Sequence, residues 1–353
     1  MPGTRPRFLK ACRRKPVDAT PVWFMRQAGR YMPEYRAVRR QHSILEICKK
    51  PELAAEVTIT AAERLGVDAA IIFADLLLPV EPMGMKLRFE RGEGPVLENP
   101  IRDAKAVSRL KTDGAHDLGF VAEAIRRVHQ HFAGKVPIIG FAGAPFTLAS
   151  YMIEGGGSRN YVATKRLMYT VPDVWVALME KICAVLEPYL QDQVAAGAQA
   201  IQLFDSWVGC LSPDDYRRYA LPFSKRLIAA VQARGVPVIH FATGTAGMLG
   251  ALQEAGADVL GVDWRVPIAK AWQEVNFRPA IQGNLDPVAL FAPADVLRER
   301  VEAILKQVGG RPGHIFNLGH GILPGTPVEN VLAVVRWVHE FPLPKREPES
   351  RDE

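Results

Sequence analysis

Nowhere in its 353 residues does this chain run to the roughly 18 consecutive apolar residues that a membrane-spanning helix needs, so a bilayer protein is not expected. Cysteine is scarce. The four present, Cys12, Cys48, Cys183 and Cys210, form no Cys-x-x-Cys pair and no zinc-like spacing. A disulfide framework and a structural zinc site are therefore not expected, and the thiols read as reduced and mostly buried, as in a soluble cytoplasmic protein. No Gly-x-Gly-x-x-Gly opens a helix after the first apolar run, which counts against a dinucleotide-binding sheet. Basic residues interleaved with aromatics on one face are missing too, so nucleic acid is not an expected partner. Internal repeats and a linker that would divide the chain are also lacking.

Apolar residues make up 48% of the chain, enough for a large core. At roughly 150 residues per domain the length fits two domains. It also fits one α/β barrel with insertions, since such barrels span about 200 to over 400 residues. The net charge of +6 favours an anionic partner or a solvated basic surface. Six basic residues, Arg5, Arg7, Lys10, Arg13, Arg14 and Lys15, precede the first acid, Asp18. No apolar run follows them, so a secretory leader is not expected.

Eight short apolar runs punctuate the chain, at 22–25, 69–73, 136–141, 200–204, 236–241, 258–262, 279–282 and 314–318. Each is too short for a helix and lacks strict alternation, the pattern of a strand covered on both faces. Helical periodicity fills the intervals. One helix runs from Pro51 to a stop at Gly66; others cover 173–196, 214–233 with a possible bend at Pro222, 249–254, 294–306 and 328–339. Eight strands alternating with helices predict an α/β fold, a single-domain (β/α)8 TIM-type barrel over 21–340, with a doubly wound open sheet as the alternative. Within 85–99 the run KLRFERGEGPVLE predicts a hairpin insertion after strand two, turning at Gly92–Gly94. Residues 1–20 form a basic, partly ordered start, and the Pro-rich, charged tail 341–353 is expected to be disordered.

In such a barrel the catalytic groups sit just past the C-terminal ends of the strands. Those positions hold Arg26-Gln27-Ala28-Gly29-Arg30, Asp75, Gly143 to Thr147 with Tyr151, Asp205-Ser206, His240 with Thr243, Asp263, Gly283-Asn284 and His320-Gly321. Singly, each fits a structural role as well. Arg26 could be a surface ion pair, Asp75 a helix cap, and Tyr151 or His320 a packed core residue. Together they would share one face. Two arginines flank a small Ala-Gly turn whose backbone can approach a ligand. Their guanidinium forks suit carboxylates or phosphates, so this feature predicts anion binding.

The run PVWFMRQAGRY at 21–31 resembles the N-terminal signature of uroporphyrinogen decarboxylases, and GFAGAPFTL at 140–148, continuing to YMIEGG at 151–156, resembles a second one. IIFAD at 71–75, QGNLDP at 282–287 and NLGHG at 317–321 are similar to the same family. The resemblance implies a homodimeric barrel that uses neither metal nor organic cofactor. It would convert the four acetate arms of uroporphyrinogen to methyl groups, giving coproporphyrinogen and carbon dioxide on the route to haem. Matched by motif, the functional residues become Arg26, Arg30, Asp75, Tyr151, Ser206 and His320, with the backbone of Gln27, Ala28 and Gly29.

Given that substrate, decarboxylation leaves an electron pair on a methylene carbon. A pyrrole protonated on the neighbouring ring carbon can accept it. An ionised Asp75 offers about four lone-pair sites to pyrrole N–H groups and a charge to balance the pyrrole cation. Arg26 and Arg30 are expected to clamp carboxylate arms, and Tyr151, Ser206 and His320 to donate hydrogen bonds to them. His320 could also deliver a proton. Two rivals are a zinc-dependent methyltransferase of similar fold and a tetrapyrrole-binding protein without turnover. The first needs a thiolate after a barrel strand, and this chain has Ala242 where His-x-Cys would place it.

Overall fold

The computed structural model describes residues 6–90 and 94–344, with Glu90 by its backbone alone. In chain order the strands are β1 (Ala70–Ile71), β2 (Leu87–Glu90), β3 (Gly94–Leu97), β4 (Ile138–Gly143), β5 (Ala200–Asp205), β6 (Val238–Ala242), β7 (Val259–Gly261), β8 (Ala280–Leu285) and β9 (His314–Leu318). β1 and β4 to β9 form one seven-stranded parallel sheet in sequence order. Every residue of β4, β6, β8 and β9 is buried, because helices cover one face and barrel side chains fill the other. β2 and β3 pair antiparallel, with Leu87 opposite Leu97 and Glu90 opposite Gly94. Most of the turn expected at Gly92–Gly94 lies outside the described residues, as do 345–353 of the expected disordered tail.

The first of the eight expected strands, 22–25, is not a strand. It makes a single parallel bridge, Val22 to Phe316 of β9. Trp23 N–H donates to the Phe316 carbonyl at 3.3 Å, and Phe316 N–H to the Pro21 carbonyl at 2.8 Å. The ladder stops there because side chains take the next donors. Phe24 N–H goes to Gln27 Oε1 at 3.4 Å and Met25 N–H to Asn317 Oδ1 at 3.2 Å. On its other flank the segment meets the approach to β1. Asp68 N–H donates to the Val22 carbonyl at 2.9 Å, and Val22 N–H to Asp68 Oδ2 at 2.8 Å. The segment thus stands between β9 and β1 and closes the ring.

Local sequence explains most helix limits. Pro51–Leu65 opens with proline in its first turn and stops at Gly66, whose φ of 65° is left-handed. The expected helix over 214–233 is two helices, Pro213–Tyr219 and Leu221–Gln232. The break falls at Ala220, because the Pro222 ring has no N–H to continue the helical hydrogen bonds. The basic start includes a helix, Arg7–Cys12, that buries Phe8, Leu9, Ala11 and Cys12. The helix Pro145–Glu154 occupies sequence that gives no helical period, since nearly all of it is buried. Cys12, Cys48 and Cys183 are buried and Cys210 partly so, all as free thiols. Among the described residues no helix is long and apolar enough to cross a membrane.

Asp68 also lies 2.7 Å from His339 Nε2 on the last helix, Val328–Glu340, and 3.4 Å from an Arg7 guanidinium nitrogen. Its carboxylate therefore ties the seam to both ends of the chain. Asp68→Ala leaves the buried Val22 N–H without a partner and should cost about 1–3 kcal/mol of stability. Urea denaturation checks this: an unchanged midpoint would show that the seam does not depend on Asp68.

Candidate active site

The chain leaves the seam through Arg26, whose φ of 57° turns it across the barrel mouth. The turn is braced from below. Gln27 is buried, its side-chain oxygen faces Phe24 N–H, and its carbonyl accepts from the Tyr31 hydroxyl at 2.6 Å. Space at Gly29 is tight, because a Cβ there would stand 3.1 Å from the Arg26 carbonyl and 3.4 Å from the Tyr31 ring. The Arg26 side chain lies on Gly321, past the end of β9. A Cβ at 321 would fall 2.5 Å from Arg26 Cδ and 2.6 Å from Cγ. Among the described residues no hydrogen bond or ion pair engages the Arg26 guanidinium.

That lone cation acts on three groups. Asp75, past β1, receives Leu77 N–H at 2.9 Å. Burial raises its pKa above the ordinary carboxylate value, while the Leu77 N–H and Arg26 pull it down. Tyr151, on the helix Pro145–Glu154, is pushed up to about 12, first by burial and then by the Asp75 charge, so its phenol keeps its proton at neutral pH. His320, past β9, is pulled down to about 4 by burial and by the charges of Arg26 and Arg265, with Asp263 opposing. Its imidazole is neutral at pH 7 and has one N–H to donate.

Ser206 follows β5, and its carbonyl accepts from the Thr243 hydroxyl at 2.7 Å. The peptide beyond it is held from the barrel interior. Thr147 Oγ1 accepts from Trp207 N–H at 3.3 Å and donates to Asp205 Oδ1 at 2.9 Å. Asp205 is wholly buried, with His240 Nε2 3.4 Å from its other oxygen. The Trp207 ring packs edge-on against Tyr151, centroids 5.4 Å apart, and tilted against Tyr161 at 5.5 Å. One hydroxyl thus sets the peptide that carries Ser206 and the indole that supports Tyr151.

The structure brings Arg26, Asp75, Tyr151 and His320 together at one mouth, with Ser206 joined through Trp207. Arg30 is not drawn into that cluster. Its side chain is exposed, its charge acts on Tyr35, and its carbonyl accepts from Arg36 at 2.9 Å. Ala28 is half-buried between the two arginines. Trp207, Trp264 and Arg265 are not singled out by sequence, although each lies one or two residues past a strand-end Ser206 or Asp263. Among the described residues no three His, Cys, Asp or Glu side chains are grouped to hold a metal ion.

Residues 4–341 match the family described as uroporphyrinogen decarboxylase (URO-D). The chain belongs to the uroporphyrinogen decarboxylase family. Two relatives of that name come from Koribacter versatilis (strain Ellin345), 63% identical over 335 residues and 95% of each chain, and Solibacter usitatus (strain Ellin6076), 62% identical over 95% of this chain and 97% of its own. A solved methyltransferase from Methanosarcina mazei superposes with a TM-score of 0.78 at 22% identity, over 95% of this chain and 98% of its own. That likeness shows a shared barrel fold and no shared activity.

In this family member the Gly321 bed is a direct test of Arg26 placement. Gly321→Ala should displace the guanidinium and lower kcat/KM about ten- to hundredfold, the worth of a charged hydrogen bond. The melting temperature should stay within a few degrees of the parent's. Full activity in a folded Gly321→Ala chain would show that Arg26 need not lie where it does.

Proposed function

We propose that the chain decarboxylates uroporphyrinogen III, turning its four acetate arms into methyl groups to give coproporphyrinogen III and four molecules of carbon dioxide in haem synthesis. The observation that carries this reading is the unpaired Arg26 guanidinium facing Asp75 at the mouth of a barrel of this family. An anionic ligand completes the charge of such a site.

The chemistry needs a proton on the ring carbon beside the acetate-bearing one. The bond to the carboxylate then breaks, its electron pair moves into the ring cation, and carbon dioxide leaves. A second proton reaches the exocyclic carbon as the ring proton departs, so each turnover consumes one proton. The pyrrole is its own electron sink, the task that other enzymes give a cofactor. In this reading Asp75 accepts pyrrole N–H groups and balances the cation, and that cation would draw its raised pKa back down. Arg26 grips an acetate. Arg30, on the exposed side of the same turn, grips a second arm, and the backbone of Gln27, Ala28 and Gly29 lines the approach. Tyr151 and Ser206 donate from their hydroxyls.

His320 orients a carboxylate through its one N–H. Protonating it would place a third cation beside Arg26 and Arg265, so it does not serve as a proton donor at neutral pH. A homodimer and a cytoplasmic location belong to the same reading. Val162, Tyr169, Val171 and Val176 leave apolar surface exposed that such a pairing could cover.

The test is incubation with uroporphyrinogen under reducing conditions, following products with seven, six, five and four carboxylates. No product from the parent chain would sink the reading. Asp75→Asn keeps the shape and removes the charge, and should lower kcat by about 10²- to 10³-fold. Retention of most of the parent's rate would remove its electrostatic role. The His320 ring should titrate near pH 4 by NMR, as burial and the two arginines require. Activity should then fall through His320 only as pH drops toward that value, when the ring gains charge. An acid limb near 6.5 that disappears in His320→Gln would instead assign it proton delivery.

A further inference from the structure

We infer that Arg265 is an additional substrate-binding residue, the anchor for a propionate arm that turnover leaves in place. The inference rests on the proposed function. Arg265 lies four residues beyond the end of β7, at the same mouth as Arg26 and His320. Its guanidinium is pinned on two sides. One edge pairs with the Asp263 carboxylate, and one face lies over the Trp264 ring, 4.2 Å from the centroid. Asp263 is buried and also receives Gly244 N–H at 2.6 Å and Arg265 N–H at 3.0 Å. The Asn284 amide donates to the carbonyls of Asp263 and Val266, both at 2.7 Å, and so fixes the turn at each end.

This turn abuts the strand end that carries His320. A Cβ on Gly319 would stand 2.5 Å from Trp264 N, so the two backbones touch where the imidazole begins. The Arg265 charge reaches the His320 ring from that side. Yet 51% of the Arg265 side chain remains in solvent. A guanidinium has five N–H donors in a rigid fork, and Asp263 engages only one edge. The outcome is a preorganised cation at the rim, farther from Asp75 than Arg26 is in the chain of contacts and open to a peripheral anion.

The substrate has two kinds of arm. Acetates disappear one by one, while all four propionates persist through every step. A rim anchor that serves each of the four decarboxylations must therefore hold a propionate. A contact with an acetate would weaken as turnover proceeds.

The experiment uses the full chain, as the parent and as R265Q and R265K, with substrates of eight, seven, six and five carboxylates. R265Q should raise KM about tenfold, by the same factor for each substrate, with kcat within about twofold; one lost charged hydrogen bond is of that size. R265K should recover part of the loss, since it keeps the charge and lacks the fork. Anaerobic binding of coproporphyrinogen, which has propionates and no acetates, is measured alongside and should weaken by the same factor. Unchanged KM and unchanged coproporphyrinogen binding in folded R265Q would overturn the assignment and leave Arg265 as the partner of Asp263 alone. A KM effect that fades from eight carboxylates to five would overturn it in favour of acetate contact. If R265Q does not fold, R265K carries the test, and a lysine variant with parental KM and binding overturns the fork. If the parent turns nothing over, the proposed function has failed, and the binding arm still decides Arg265.

Discussion

Asp68 accepts the Val22 N–H, meets His339 from the last helix and Arg7 from the first, and donates its own N–H back to Val22. Every other stave of the barrel is held by a ladder of parallel backbone bonds. The one that closes the ring has a single bridge and this carboxylate. Freed from a ladder after Val22, the chain can spend its next donors on Gln27 and Asn317 side chains and turn sharply at Arg26. A regular strand through 22–25 would carry the backbone on past the mouth. The irregular seam is what lays Arg26 across the barrel end and onto Gly321.

Once there, Arg26 acts on Asp75, Tyr151 and His320 at the mouth, in each case second to burial. Burial works against charge on every group around it. It keeps Tyr151 protonated and His320 neutral, and it pushes Asp75 toward its neutral form. The guanidinium cannot respond by losing its proton. Among the described residues it has no hydrogen-bond or ion-pair partner, and it lowers the pKa of Asp75, Tyr151 and His320. A polyanionic ligand resolves this imbalance. The net charge of +6 has the sign that steers a polyanion toward a cationic cleft.

Much of this was legible in the residue order. β9 falls at 314–318 and the helix Pro51–Leu65 ends at its glycine, because apolar length and helix-stop chemistry are local properties. Arg26, Asp75, Tyr151 and His320 could be picked out because each follows a short apolar run or lies on the helix after one. What was hidden depends on contacts. The loss of strand 22–25 follows from Asn317, nearly 300 positions away in sequence. The helix Pro145–Glu154 has no amphipathic period because it is covered all round. Arg30 reads as the twin of Arg26, and both side chains are exposed; the turn separates them only by aiming Arg30 at Tyr35 and Arg26 at Asp75, Tyr151 and His320. Arg265 sits only two residues past the strand-end Asp263, but position alone does not show that its guanidinium turns back onto Asp263 and Trp264.

The barrel shared with the Methanosarcina mazei methyltransferase places the burden of chemistry on the strand ends. The end of β6 makes the point. His240 here is followed two residues later by Ala242, so no thiolate stands beside the ring, and its Nε2 faces the wholly buried Asp205 instead. Asp205 in turn holds the Thr147 hydroxyl, which holds Trp207, whose ring backs Tyr151. A histidine at a strand end, a position suited to a metal ligand, is thus tied into the interior support of the Tyr151 phenol. The polar network then runs inward, to hold the mouth still, and leaves the outward face to guanidinium groups and their carboxylates.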